Sequence, residues 1–313
     1  MVSVSLLAFV LLKVNWGQLS GILAGLDLRC AASASALTMV LIGGLAVRWR
    51  FFLRQQNISV PFAKLLSLTW AGQFFNCVLP GSTGGDVVKI YQMCRLEPER
   101  KAAAAAAVFA DRLSASFALL FLAAIAFTFE PLPLRVLSAW PLNWWNVSLA
   151  CFGLTVAAFL AVWIASRMIR ATQWPGRIVR MLKAVRSGFS FDFSTTAAVA
   201  LALGLHLLNF FIVFLFAKAL GLTITYSLTL AIMPVVLLMV MLPVTINGHG
   251  LRELLLIGYF NHLGIRLATS PVADVRDVVV ALSVLIVAND LLWSLPGGLW
   301  YLIAGGRRVA DLR

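Results

Sequence analysis

The chain has 313 residues, of which 61% are hydrophobic and only 12% charged, with a formal net charge of +13 and a mean hydropathy of +0.95. A soluble domain carries about a quarter of its residues as Asp, Glu, Lys and Arg, so the composition excludes a water-soluble globular protein and fits one polytopic, all-α membrane domain over residues 1–313. The surplus cations fall between apolar runs rather than on one face of an amphipathic domain. That argues against nucleic acid as a partner and assigns the cations to topology and to anionic lipid headgroups.

Taken in chain order, the first apolar run, Val2–Leu12, is short for a span and stops at Lys13. It reads as a tilted or partial helix, and no basic segment precedes it to mark a cleaved signal peptide. Cys30–Trp49 reaches the roughly 20 residues that a crossing helix needs and is followed by a basic loop with Arg50, Arg54 and Lys64, Arg48 being counted with that loop. Phe62–Leu79 ends in helix breakers, Leu79-Pro80-Gly81-Ser82-Thr83-Gly84-Gly85-Asp86, and returns through the short amphiphilic segment Gly85–Met93 to Arg95, Arg100 and Lys101. Ala102–Phe129 is the next span. The segment 130–144 is poor in cations and rich in Pro and Trp, as expected of an outer surface with an aromatic belt.

Trp145–Ala165 is a further span, and 167–194 alternates Arg and Lys with apolar residues at helical spacing, the pattern of an interfacial helix on an anionic leaflet. Thr195–Leu220 spans again. Tyr226–Leu242 ends in a second broken motif, Leu242-Pro243-Val244-Thr245-Ile246-Asn247-Gly248-His249-Gly250, with the return segment Gly250–Leu263. Val278–Ile303 is the last span, ahead of Arg307, Arg308 and Arg313. Cys30, Cys77, Cys94 and Cys151 have no metal or redox spacing and read as structural thiols.

The two broken motifs align at an offset of 163 residues, which sets Pro80 on Pro243, Gly85 on Gly248 and Lys89 on Arg252. Breaking a helix inside a bilayer exposes backbone groups that water cannot satisfy, so such breaks persist only where protein buries them or a polar cavity takes them. Basic loops on both sides of 62–95 bring that segment in and out from the cytoplasm, and the directions of the last two spans bring 226–263 in and out from the opposite side. The expectation is an inverted-topology repeat with two re-entrant helical hairpins: a first repeat over about 30–129, a linker span and interfacial helix over 130–194, and a second repeat over about 195–303.

Four groups of residues are candidates for chemistry. Arg112 lies eleven residues after Lys101 on an unbroken Ala-rich run, roughly 16 Å deep at the helical rise, where a cation needs a partner or a wet cavity. Its neighbour Asp111 points about 100° away on a helix, which makes Asp86 the geometrically reasonable partner. Lys89 and Arg252 each follow a glycine-rich break, where half-helix N-termini attract phosphate or carboxylate. The substrate-binding set is therefore Lys89, Arg112, Arg252, Asn76, Gly84, Gly85, Gly248 and Gly250, with Asp86, Asp111, Glu253 and Asp290 keeping the cations paired when no substrate is bound. The alternative for the glycines is tight turning alone, and for the charges a set of structural ion pairs. His206 and Asn209 share a helix face and suit helix–helix hydrogen bonding. His249, at the second tip, could titrate near neutrality.

No His-x-x-x-His, Gly-x-Ser-x-Gly or P-loop pattern is present, so the reading leans away from an enzyme, and no catalytic residue, metal or cofactor is implied.

The residues Asn76-x-x-Leu79-Pro80-Gly81-x-x-Gly84-Gly85-Asp86, the run Ala106–Arg112 with Asp111-Arg112, and Leu242-Pro243 with Gly248-x-Gly250-x-Arg252-Glu253 resemble the flippase-like transmembrane family, the lysylphosphatidylglycerol synthase transmembrane region. The resemblance runs roughly from Ala46 to the last span. It implies a polytopic bacterial or archaeal membrane protein with two re-entrant hairpins, which in the best-known relatives moves aminoacylated phosphatidylglycerol between leaflets and in others is associated with glycosylated or isoprenoid lipids. The loop charges add a cytoplasmic C-terminus in the cytoplasmic membrane, and the cations an anionic, phosphate-bearing headgroup. In the best-known relatives a cytosolic aminoacyl transferase domain follows; the sequence here runs to Arg313 without one, which leaves lysine transfer unsupported and the lipid identity open. His249 stands where a small residue is expected, and Asp111 where relatives more often carry Glu. The expected partner is a membrane phospholipid or lipid-linked substrate, and a homodimer is left open. A membrane enzyme or accessory subunit acting on a lipid-linked sugar or phosphate is the alternative, with Asp86 or Asp111 as base; a scaffold for another protein is a third.

Overall fold

The computed structural model describes residues 16–78, 84–129, 193–241, 250–268 and 274–303, and the elements within them are helices. They are α1 (Trp16–Ala24), α2 (Leu28–Gln55), α3 (Phe62–Val78), α4 (Gly84–Leu96), α5 (Lys101–Phe129), α6 (Phe193–Ala219), α7 (Tyr226–Met241), α8 (Leu251–Leu263) and α9 (Val275–Ile303). Four of them, α2, α5, α6 and α9, are long and apolar enough to cross a membrane. The expectations for Val2–Leu12, both broken tips (79–83 and 242–249), the segment 130–144, Trp145–Ala165 and the basic stretch up to residue 192 lie outside the described residues, as do the last cations. Helix α1 was not expected from the sequence; it packs on α9.

Local chemistry sets the helix ends. Asp27 caps α2, its carboxylate accepting from the N–H of Arg29 at 2.9 Å and of Cys30 at 3.4 Å, which satisfies donors that have no partner within the helix. That hydrogen bonding holds the Asp27 carboxyl below its ordinary value. α8 ends at Gly264, whose φ of 65° is the left-handed conformation that glycine adopts without a Cβ penalty. The alanine run that opens α5 favours helix, and its small side chains allow close packing: Ala104, Ala106, Ala107 and Ala110 are all fully buried.

α2 and α6 pack along their length in opposite directions. The Asp27 N–H donates to the Ala219 carbonyl at 2.8 Å at one end, and Gln55 Nε2 donates to Thr195 Oγ1 at 2.8 Å at the other. Each long helix is followed by a pair of shorter ones. α4 folds back on α3, so that the Gly85 N–H donates to Asn76 Oδ1 at 2.7 Å and Lys89 packs on Gly72. The ends of this pair meet where Arg100 Nη1 donates to the Asn57 carbonyl at 2.6 Å, beside the C-terminus of α2. α7 and α8 also pack together. Their ends meet in the antiparallel bridge between Leu222 and Leu267, with the Thr223 N–H donating to the Arg266 carbonyl at 2.9 Å, beside the C-terminus of α6. The bases of the two helix pairs therefore sit at opposite ends of the α2–α6 pair.

Two apolar cores follow from this arrangement. Trp49, Phe52, Leu53, Leu65 and Met93 gather at the first base; Phe210, Phe216, Tyr259, Phe260 and Val279 gather toward the second. The outer faces of the long helices stay apolar and exposed, with Val40 at 60%, Phe121 at 47% and Leu292 at 59% exposure, as lipid-facing surfaces require. Between the two cores lies a belt of polar side chains.

Candidate functional site

The belt begins with Arg48. Counted above with a cytoplasmic loop, it is instead buried inside α2, where Nε donates to Asp111 Oδ1 at 2.7 Å and Nη2 to Oδ2 at 3.1 Å. This two-pronged bond is the geometry in which a guanidinium best compensates a buried carboxylate. The topology reading failed for this residue because a count of loop charges takes no account of a partner on another helix.

The next residue of α5 is Arg112, whose Nε lies 3.7 Å from Asp86 Oδ2 on α4. Asp111 and Arg112 thus point to different neighbours, as the helical angle between successive residues requires. Lys89, one turn after Asp86 on α4, is close enough to act on its charge and packs against other neighbours as well. It is buried, with Nζ 5.2 Å from the centroid of the Trp49 ring, a cation–π distance, and its stem lies on Gly72. A Cβ at Gly85 would overlap the Gly72 carbonyl, so the close approach of α3 and α4 is what requires glycine there. Gly84 is buried beside it at the start of α4.

Arg252 and Glu253 form the counterpart on α8. Arg252 Nη2 donates to Glu253 Oε1 at 3.1 Å, and the Gly250 N–H donates to Glu253 Oε2 at 2.5 Å. Gly250 carries a φ of 86°, which a side chain would strain. Gly248 and His249 lie outside the described residues. Asp290 is half-buried near the middle of α9, beside Asn289, whose Nδ2 donates to Thr38 Oγ1 at 3.0 Å.

These groups line two adjoining cavities. The larger, about 300 Å³, has Arg48, Arg112, Gln73, Asn76 and His206 in its wall. His206 Nε2 is 3.0 Å from the Ala115 carbonyl, the helix–helix hydrogen bond expected of it. The smaller, about 150 Å³, has Arg252, Asp290, Asn289 and Thr38. Leu41, Asn209, Leu237 and Val240 belong to both walls, so the two spaces adjoin across Asn209. Asn76, Arg112, Arg252 and Asp290 of the expected set thus come together, while Lys89, Asp111 and Glu253 support the wall from behind. Sequence reasoning missed Arg48, Gln73 and Thr38. A signal existed for Gln73, three residues before Asn76 on the same helix face.

Two adjoining cavities with guanidinium groups at either side, a few amide and hydroxyl groups between them and an otherwise largely apolar wall can hold a phosphate or carboxylate against that wall. It sits between helices whose outer faces are apolar. A larger cleft of about 660 Å³ opens at the first base, with Lys64, Arg95 and Arg100 facing Glu97 and Glu99. It is separate from the belt and its charges nearly balance.

The family model described as "Lysylphosphatidylglycerol synthase TM region" matches residues 1–299. The match reaches further toward the N-terminus than the motif resemblance, which started near Ala46. A UPF0104 membrane protein of Pyrococcus horikoshii, PH1989, is 37% identical over 65 residues, 20% of this chain and 19% of that protein. The aligned stretch spans about a fifth of that relative, which is likewise described as a membrane protein.

Proposed function

Because the chain belongs to the lysylphosphatidylglycerol synthase TM region family, we propose that it carries an anionic, phosphate-bearing lipid between the leaflets of a prokaryotic cytoplasmic membrane. The observation that carries this reading is the pair of adjoining cavities between the helices, with Arg112 in the wall of one and Arg252 in the wall of the other. The headgroup rests between these cations while its tails stay in hydrocarbon beside the apolar outer faces. Gln73, Asn76 and Asn209 supply further donors. Aminoacyl or glycosyl decoration of the headgroup is compatible with amide-lined walls.

The reading rests on an inverted repeat with two re-entrant hairpins, and several features support it. The helices of the first half, α2 to α5, have 28, 17, 13 and 29 residues, and those of the second, α6 to α9, have 27, 16, 13 and 29. Helix contacts recur under exchange of the halves: α3 packs on α9 and α7 on α5, while α4 packs on α5 and α8 on α9. The hairpin bases lie at opposite ends of the antiparallel α2–α6 pair. At 17 and 16 residues, α3 and α7 fall short of the roughly 20 that a crossing takes. Exchange of the two halves in their packing is the expected transport cycle. The first base, flanked by Arg50, Arg54, Arg95 and Arg100, belongs on the cytoplasmic side, and so does the C-terminus. Asp86 and Asp111, the candidate bases of a lipid-modifying enzyme, are both engaged by arginines, which favours carriage over chemistry.

The test is leaflet exchange of labelled anionic lipids in proteoliposomes. Wild type is expected to exceed empty vesicles, with Arg112→Ala and Arg252→Ala each slowing exchange by about tenfold or more, a loss equivalent to one charge-assisted hydrogen bond. Wild type no faster than empty vesicles for any of phosphatidylglycerol, phosphatidic acid and a polyisoprenyl phosphate overturns the proposal.

A further inference from the structure

The belt carries balanced charge. Arg48, Lys89, Arg112 and Arg252 are its cations, and Asp86, Asp111, Glu253 and Asp290 its carboxylates. Residues 79–83 and 242–249 contain no Lys, Arg, Asp or Glu, and one His, His249. The balance is uneven in space. Around the larger cavity three cations stand with two carboxylates; around the smaller, two carboxylates stand with one cation. Asp111, Asp86 and Glu253 each have a guanidinium within 4 Å, whereas Asp290 has no such ion pair among the described residues.

We infer that Asp290 takes up a proton when an anionic headgroup binds, so that carriage of the lipid is coupled to protons. This rests on the carrier reading above. Counted over the described residues, an empty site with Asp290 ionised is neutral. A phosphodiester brings one further negative charge, and a net charge inside a bilayer is costly. Protonation of one carboxylate restores neutrality, and Asp290 is the one whose protonation breaks no described ion pair. The proton comes from water, adds to a carboxylate oxygen, and leaves when the headgroup is released. Among the described residues, the charged and titratable groups facing Asp290 are few. Arg252 of α8 shares its cavity, with Glu253 behind it, and Cys77 approaches from α3. α2 contributes Thr38 and α6 contributes Asn209, neither of which titrates. α1, which also packs on α9, holds no titratable side chain.

The experiment counts protons released or taken up when the purified full chain in detergent is titrated with short-chain phosphatidylglycerol, phosphatidic acid and a polyisoprenyl phosphate, by calorimetry in buffers of different ionisation enthalpy. Wild type is expected to take up close to one proton per phosphatidylglycerol near neutral pH, its affinity falling by up to about tenfold per pH unit on the alkaline side. Asp290→Asn is expected to bind with no proton uptake and with affinity nearly independent of pH, while Asp290→Glu keeps the uptake. Binding by wild type without proton uptake overturns this inference and leaves the carrier reading standing. Uptake that persists in a folded Asp290→Asn protein overturns the assignment to Asp290. No binding of any of the three lipids sinks both.

Discussion

Asp111 and Arg112 are neighbours in sequence with different work. Asp111 faces Arg48 in a bond only 7% exposed on either side chain, while Arg112 faces Asp86 and the larger cavity. Removing one partner of a buried pair strands the other charge, at a cost of about 3–5 kcal/mol. Asp111→Asn is therefore expected to lower the thermal melting point in detergent more than Arg112→Ala does, and Arg48→Met combined with Asp111→Leu should recover most of that loss. Arg112→Ala should spare the fold and slow lipid exchange. At the start of α2, Asp27 is exposed and its carboxyl is held low by the α2 backbone. A lowered value in the folded state means stability that is present above the unfolded carboxyl range and is lost as pH falls through it. The melting-point advantage of wild type over Asp27→Ala should be steady from neutrality down to about pH 5 and shrink below the usual carboxylate value near 4.

Among the elements, the α3–α4 pair and the α3–α9 crossing bring backbones into close contact. Gly85 lies against the Gly72 carbonyl, and Gly297 of α9 lies against the backbone at Trp70 and Ala71 of α3. The Trp70 Nε1–H donates to the Trp293 carbonyl at the same crossing. Small residues let membrane helices approach closely where no hydrophobic force drives them together. Gly85→Ala should push α4 off α3 and break the bond to Asn76, costing about 1–3 kcal/mol by overpacking, seen as a lower melting point together with reduced lipid exchange. An equal melting point for Gly85→Ala would show that the tip tolerates a Cβ and that glycine is not required there. The long apolar runs were legible because about 20 consecutive apolar residues have few other uses. The partners of Arg48 and Lys89 were not, because local spacing carries no record of which helices later become neighbours.

For the molecule as a whole, the two bases at opposite ends of the bundle define an orientation that can be probed directly. In a variant with the native cysteines replaced by serine, Glu97→Cys should react with an impermeant maleimide only from the cytoplasmic side and Arg266→Cys only from the outer side. Labelling of both from one side would remove the inverted arrangement and, with it, the path from one leaflet to the other.

Composition and hydropathic run length alone established a polytopic helical membrane protein, and the matched Pro and Gly breaks with their cations marked where the apolar pattern fails. Those conclusions needed only the cost of exposing polar backbone to lipid, which is paid locally along the chain. Which cation meets which carboxylate, the joining of two cavities across Asn209, and the position of Asp290 without an ion pair among the described residues are matters of helix packing. They depend on contacts between residues far apart in the chain, and electrostatic energy in a low-dielectric interior varies with each of those distances.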